Sequence, residues 1–145
     1  MTESRKLLDT AISTLEREGY TCVLTDGKSF YTSRSRGVKP LVAFIESGEI
    51  PAGLYAADKV VGKATAYLYV ILKLRELYAS VISEPAISVL NYHGISVRYG
   101  MIVKNIINRQ GDGICPFEEA VLNINAPSDA YTSIRKKMNE LNINL

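Results

Sequence analysis

The sequence predicts an α/β domain, a three-layer α/β/α sandwich built on a mixed sheet. Three features carry that prediction. Two β-prone runs, Tyr20 to Thr25 and Ser29 to Ser33, flank Asp26-Gly27, a dipeptide suited to the positive φ angles of a tight antiparallel turn. Beyond Pro51, extended and helical patterns alternate, which implies parallel strands joined by helices. Amphipathic helical stretches stand at both ends of the chain, ready to cover a sheet.

The elements follow in order. Leu7, Leu8, Ala11, Ile12 and Leu15 recur at helical spacing among Ser4, Lys6, Asp9, Ser13 and Glu16, and Gly19 stands where a helix ends. After the hairpin, Gly37 and Pro40 precede a short helix from Leu41 to about Glu46, closed by Gly48. The alternating half then reads as a strand at Leu54 to Ala57, a helix at Lys59 to Tyr78 and a strand at Ala79 to Ile82. A helix at Glu84 to Tyr92 and a strand at Ile95 to Tyr99 complete it. Ser83 is suited to cap the helix at Glu84, Pro85 to sit in its first turn and Gly94 to end it. The long helix is apolar nearly all round its middle, a pattern that places it in the core. A mixed segment runs from Gly100 to Arg109. Gln110 to Gly113 forms a loop, Pro116 opens a short helix, and a last helix starts near Ser128 with Tyr131, Ile134, Met138 and Leu141 on its apolar stripe.

The chain's 145 residues fit one domain spanning 1–145, with 47% hydrophobic and 22% charged residues. Seventeen basic against 15 acidic side chains leave +2, too weak a field to argue for nucleic acid. Met1 to Arg5 leads into alternating charged and apolar residues without the apolar core of a secretion signal, so a cytoplasmic location is expected. The longest apolar stretch, Ala64 to Leu72, is too short to span a bilayer. Cys22 and Cys115 read as free thiols, the first in a core strand.

The stretch Ala57 to Gly100 resembles the cytidine-deaminase-like superfamily. Its carriers are Ser83-Glu84-Pro85, the strand Ala79 to Ile82 before it and His93-Gly94-Ile95 after it, while Asp58-Lys59-Val60 stands at the other expected helix start in place of the superfamily's motif. In that superfamily a His-x-Glu and a Pro-Cys-x-x-Cys hold and use zinc. The resemblance sets Ala86 and Val89 at the cysteine positions and Val60 at the catalytic glutamate, leaving Asp58 as the one residue able to touch a metal. Zinc-dependent deamination needs three ligands and an acid/base carboxylate. No metal site and no cofactor are therefore expected. Over most of its length the chain also resembles an uncharacterised bacterial and archaeal domain-of-unknown-function family placed in that superfamily. That match rests on Ala57 to Ala64, on Ser83-Glu84-Pro85, and on Asn108-Arg109 leading through the Gly-rich loop to Cys115-Pro116-Phe117-Glu118.

Candidate chemistry gathers at expected helix starts. Asp58 reads either as a helix cap or as a ligand group at the carboxyl end of a strand, where open α/β sheets bind ligands. Lys59 and Lys63 fall four apart near a helix start, where an anionic ligand or a surface carboxylate would balance them. Gly62-Lys63-Ala64-Thr65 lacks the spacing of a phosphate-binding P-loop, and the reading puts Gly62 inside a helix. Cys115 precedes Pro116 at a helix start that would favour a thiolate, while a free cysteine also serves as a small buried hydrophobe. Glu84 and Glu118 are further carboxylates at helix starts, and Asn108 and Arg109 border a loop able to close over a ligand. His93, at a helix end, is given no catalytic role. The leading expectation is a zinc-independent or degenerate enzyme that acts on or binds a small anionic or nucleotide-like metabolite. Asp58, Lys63 and Cys115 would do the chemistry, and Lys59, Glu84, Asn108, Arg109 and Glu118 would bind. The other expectation is a non-catalytic module that senses a ligand or assembles with its own copies.

Overall fold

A computed structural model describes residues 3–145; Met1 and Thr2, part of the stretch read above as carrying no signal, lie outside the described residues. Helix α1, Glu3–Glu18, precedes strands β1, Cys22–Thr25, and β2, Phe30–Ser33, and then α2, Lys39–Ser47. The alternating half comprises β3, Tyr55–Val61; α3, Lys63–Ile71; β4, Glu76–Ser83; α4, Glu84–Tyr92; and β5, Ser96–Val103. Short α5, Pro116–Ala120, and then α6, Pro127–Glu140, complete the chain.

The mixed five-stranded sheet has the order β2-β1-β3-β4-β5. The hairpin partners and the β1–β3 pair are antiparallel, and β3, β4 and β5 run parallel. The hairpin is present, but its turn is longer than a two-residue loop. Asp26 Oδ1 accepts the amides of Lys28 (2.9 Å) and Ser29 (2.8 Å), and only Gly27 of the Asp26-Gly27 pair takes positive φ, at 94°.

Alternate residues of β1 serve two clusters. Val23 meets Ala57 of β3 and Ala11 and Leu15 of α1, whereas Cys22 and Leu24 join a larger cluster with Ala56, Leu77, Ala79, Leu68, Leu90 and Ile134. The larger cluster carries residues of α2, α3, α4 and α6, and α3 packs on α4 and α6.

The expected long helix from Lys59 to Tyr78 is not formed, and this is the main correction. Residues 59–61 extend β3, α3 holds only Lys63–Ile71, and Glu76 to Tyr78 belong to β4. Its end is set by Lys73, a non-glycine residue at φ 56°. The Lys73 amide donates to Val70 O and that of Leu74 to Tyr69 O, a left-handed helix end built without the glycine that usually announces one. Gly62 lies outside the helix and is its N-cap residue. Strand β5 likewise continues past Tyr99 to Val103.

The start of α4 is as the sequence predicts. Ser83 has extended backbone, its hydroxyl accepts the Ala86 amide at 3.3 Å, and Pro85 occupies the first turn. Ser83 is fully buried, so Ser83→Ala removes an acceptor from a helix amide that water cannot reach. The expected loss is about 1 kcal/mol in urea unfolding. A Ser83→Thr variant, which keeps a hydroxyl there, restores most of that loss if capping is the cause.

Candidate functional site

Asp58 is not at a helix start. It lies within β3, opposite Cys22 on one side and Ala79 on the other, and is 8% exposed. Its Oδ2 accepts the Tyr69 hydroxyl at 2.6 Å, and its Oδ1 accepts the Val60 amide at 3.2 Å. The Cys22 Sγ lies 3.3 Å from the same phenol oxygen. With the phenol proton directed to Asp58, the thiol donates to Tyr69 Oη, and the three side chains form a chain of hydrogen bonds from β1 through α3 to β3. Burial pushes the Asp58 carboxyl up to about 7, against the opposing pull of the Tyr69 and backbone donors. Burial, reinforced by Asp58, also pushes the Cys22 thiol and the Tyr69 phenol up. The group is apt for holding a proton inside the core.

Lys59 is exposed on β3, so the expected helical Lys59 and Lys63 pair does not exist. Lys63 is the first residue of α3, and the anion facing that helix start comes from the chain itself. Glu118 of α5 is buried, and its Oε2 accepts the backbone amides of Lys63 (2.6 Å) and Ala64 (3.4 Å). This charge-assisted cap meets two of the helix's free amides and its positive end. Its other oxygen, Oε1, is buried with no hydrogen-bond partner among the described residues. Lys63 and Glu118 are thus brought together through a backbone amide, a pairing that the sequence did not suggest. The Lys63 ammonium instead donates to Leu122 O at 3.2 Å.

Cys115 is the residue before α5, as expected. Its side chain makes no cap hydrogen bond and packs, half-buried, on the larger core cluster. Glu84 is exposed in the first turn of α4. Asn108 holds its own loop together: Oδ1 accepts the amides of Gly111 (2.8 Å) and Asp112 (3.2 Å), and Nδ2 donates to Asp112 Oδ1 at 2.9 Å. Arg109 is exposed on that loop. Among the described residues no three His, Cys, Asp or Glu side chains are placed to hold a metal ion, and no helix is long and apolar enough to cross a membrane.

An open groove of ≈ 470 Å³ lies beside the starts of α3 and α4, where the sequence places a pocket, but Asp58 does not line it and of the expected site residues only Lys63 does. Lys63 and Tyr67 of α3, Ser88, Val89 and Tyr92 of α4, and then His93 and Asn125 line it. Tyr67 Oη donates to Ile124 O at 3.0 Å, fixing the loop that carries Asn125. Tyr92 is 85% exposed, with the His93 ring edge-on at 5.1 Å. The one available signal for its missed lining residues was the spacing of Ser88, Tyr92 and His93 along one side of α4, which amphipathic patterning assigns to solvent.

The chain matches no curated protein. Among solved structures it is similar to the crystal structure of a DUF1893 family protein (TM1506) from Thermotoga maritima, with a TM-score of 0.86 and 29% identity over 94% of this chain and 92% of that one. The sequence profile of the domain of unknown function DUF1893 matches residues 10–138, so the chain belongs to the DUF1893 family.

Proposed function

We propose that this domain binds a small anionic, nucleotide-like metabolite in the groove between α3 and α4 and that it does so without catalysis, on a degenerate three-layer scaffold of the cytidine-deaminase-like kind, in the cytoplasm. The observation that carries the reading is the position of Lys63 in the groove wall. Its ammonium has three donors, one of which is directed to Leu122 O, leaving two for a phosphate or carboxylate. Ser88 and Asn125 add polar groups, and exposed Tyr92 offers a face on which a base can stack. Support for binding over catalysis comes from Asp58, which is directed to Tyr69 in the interior, and from Cys115, whose thiol packs on the core. The scaffold reading is supported by the order of β3, α3, β4, α4 and β5 and by the Ser83-Glu84-Pro85 helix start. Two unpaired thiols suit a reducing compartment.

The test is thermal stabilisation by nucleoside monophosphates and by inorganic phosphate, since a ligand of the native state raises its stability. Cytidine and adenosine monophosphates are expected to raise Tm. Lys63→Gln and Tyr92→Ala are each expected to weaken binding about tenfold, equal to about 1.4 kcal/mol. Stabilisation that survives both substitutions would place the ligand elsewhere, and absence of stabilisation would remove the proposal. Turnover of a bound nucleotide would restore the catalytic reading.

A further inference from the structure

We propose that β5 is the surface through which two copies of this chain form a two-fold symmetric dimer, the strands pairing antiparallel about Gly100. Strand β5 closes the sheet and among the described residues pairs only with β4, so its other edge presents unpaired backbone donors and acceptors. The two edges of the sheet differ. Strand β2 spans Phe30–Ser33 and is flanked by Lys28, Arg34 and Arg36, the charged guard expected of an edge that must stay single. Strand β5 spans Ser96–Val103 and exposes Tyr99 (47%), Met101 (59%) and Ile102 (46%). Its one charged side chain, Arg98, is held against Asp9 of α1 at 2.9 Å, and of its flanking residues only Lys104 is charged.

The sequence of β5 also suits pairing with itself. With Gly100 opposite the partner's Gly100, Val97 faces the partner's Val103, Arg98 faces the partner's Ile102, and Tyr99 faces the partner's Met101. Apolar meets apolar at Val97 and at Tyr99, the second being a sulfur–aromatic pair, and no like charges meet. Parallel pairing in register, or the antiparallel registers that set Arg98 opposite Arg98 or Lys104, would oppose like charges and is disfavoured. Gly100 sits at a break in the ladder: pairing of β4 with β5 resumes at Met101 after Tyr99, and a Cβ on Gly100 would lie 2.9 Å from Ser80 O. A two-fold axis at Gly100 sets that break opposite its own copy. The product is one continuous ten-stranded sheet.

Sedimentation equilibrium of the full chain across a dilution series tests the dimer. A mass of twice 16.0 kDa is expected, falling to 16.0 kDa in Met101→Lys with its circular dichroism unchanged and its Tm independent of protein concentration. The register is tested by mixing Tyr99→Cys chains with Met101→Cys chains, both also carrying Cys115→Ser. Oxidation is expected to cross-link the mixture and to leave Met101→Cys alone uncross-linked. A monomeric wild type, a dimer that survives Met101→Lys, or a mixture that does not cross-link would each overturn the proposal. None of these readouts depends on the nucleotide groove.

Discussion

Asp58→Asn stabilises the protein at pH 8 and has little effect at pH 4. The folded carboxyl titrates at about 7 against 3.8 for the ordinary group, so the native state holds a proton that the unfolded chain has released. The sign follows from that order: the favourable neutral form contributes fully below pH 3.8, and its contribution is lost as pH rises to 7. The difference corresponds to about 4 kcal/mol as an upper figure. An asparagine keeps the shape and never ionises. Its oxygen accepts the Val60 amide and its NH2 donates to Tyr69 Oη, which then turns its proton toward Cys22 Sγ. Urea unfolding of both proteins from pH 4 to pH 8 isolates the effect, because the other titrating groups cancel in the difference. A gap in unfolding free energy that opens between pH 4 and pH 7 and stays within about 4 kcal/mol is expected. A gap independent of pH would mean that Asp58 does not carry the buried proton. Tyr69→Phe should shift the balance the other way, costing more at pH 8 than at pH 4, because the ionised carboxylate then loses a charge-assisted donor in the core.

The same residue explains where the sequence was legible and where it was not. The α4 start was readable because its signals are local: Ser83 caps it, Pro85 fills its first turn, and Gly94 takes φ 76° just beyond it. The hairpin was readable for the same reason. The β3–α3 boundary was not, because Asp58 before a run with helically spaced apolar residues imitates a cap, while the group that caps α3 is Glu118, 55 residues from Lys63. No local pattern holds that information. The far end of α3 was hidden because Lys73 turns the chain without a glycine, so the apolar run from α3 into β4 read as one helix. Of the candidate site, Glu118 was legible as a carboxylate at a helix start, but the Lys63 amide that it caps was not, because the helix was expected to begin at Lys59. The Cys22, Tyr69 and Asp58 chain was not, since three strands or helices must be in register before these side chains meet. Asn108 shows the converse, a polar residue beside a glycine-rich loop whose hydrogen bonds are all internal to that loop.

Gly62→Ala is expected to destabilise the protein by about 3 kcal/mol, through a collision with Glu118 and not through its backbone. Gly62 has φ −99° and ψ −177°, an extended conformation open to any residue, so alanine meets no torsional strain there. The added Cβ would instead lie 2.7 Å from Glu118 Cδ and Oε1 and 3.0 Å from Oε2. Both groups are buried, and the carboxylate must leave for the methyl to fit. Its departure strips the acceptor from the Lys63 and Ala64 amides and frees a charge from the positive end of α3. Glu118→Ala removes the same cap directly, at about 2 kcal/mol, and Glu118→Gln, which keeps an oxygen for the Lys63 amide, should cost about 1 kcal/mol. The decisive measurement is the double variant. If Gly62→Ala acts by expelling Glu118, then Gly62→Ala with Glu118→Ala loses little more than Glu118→Ala alone, because the methyl occupies space that the carboxylate has vacated. Additive losses in urea unfolding would show that the two residues act independently, and the account of how α3 is capped would have to be abandoned.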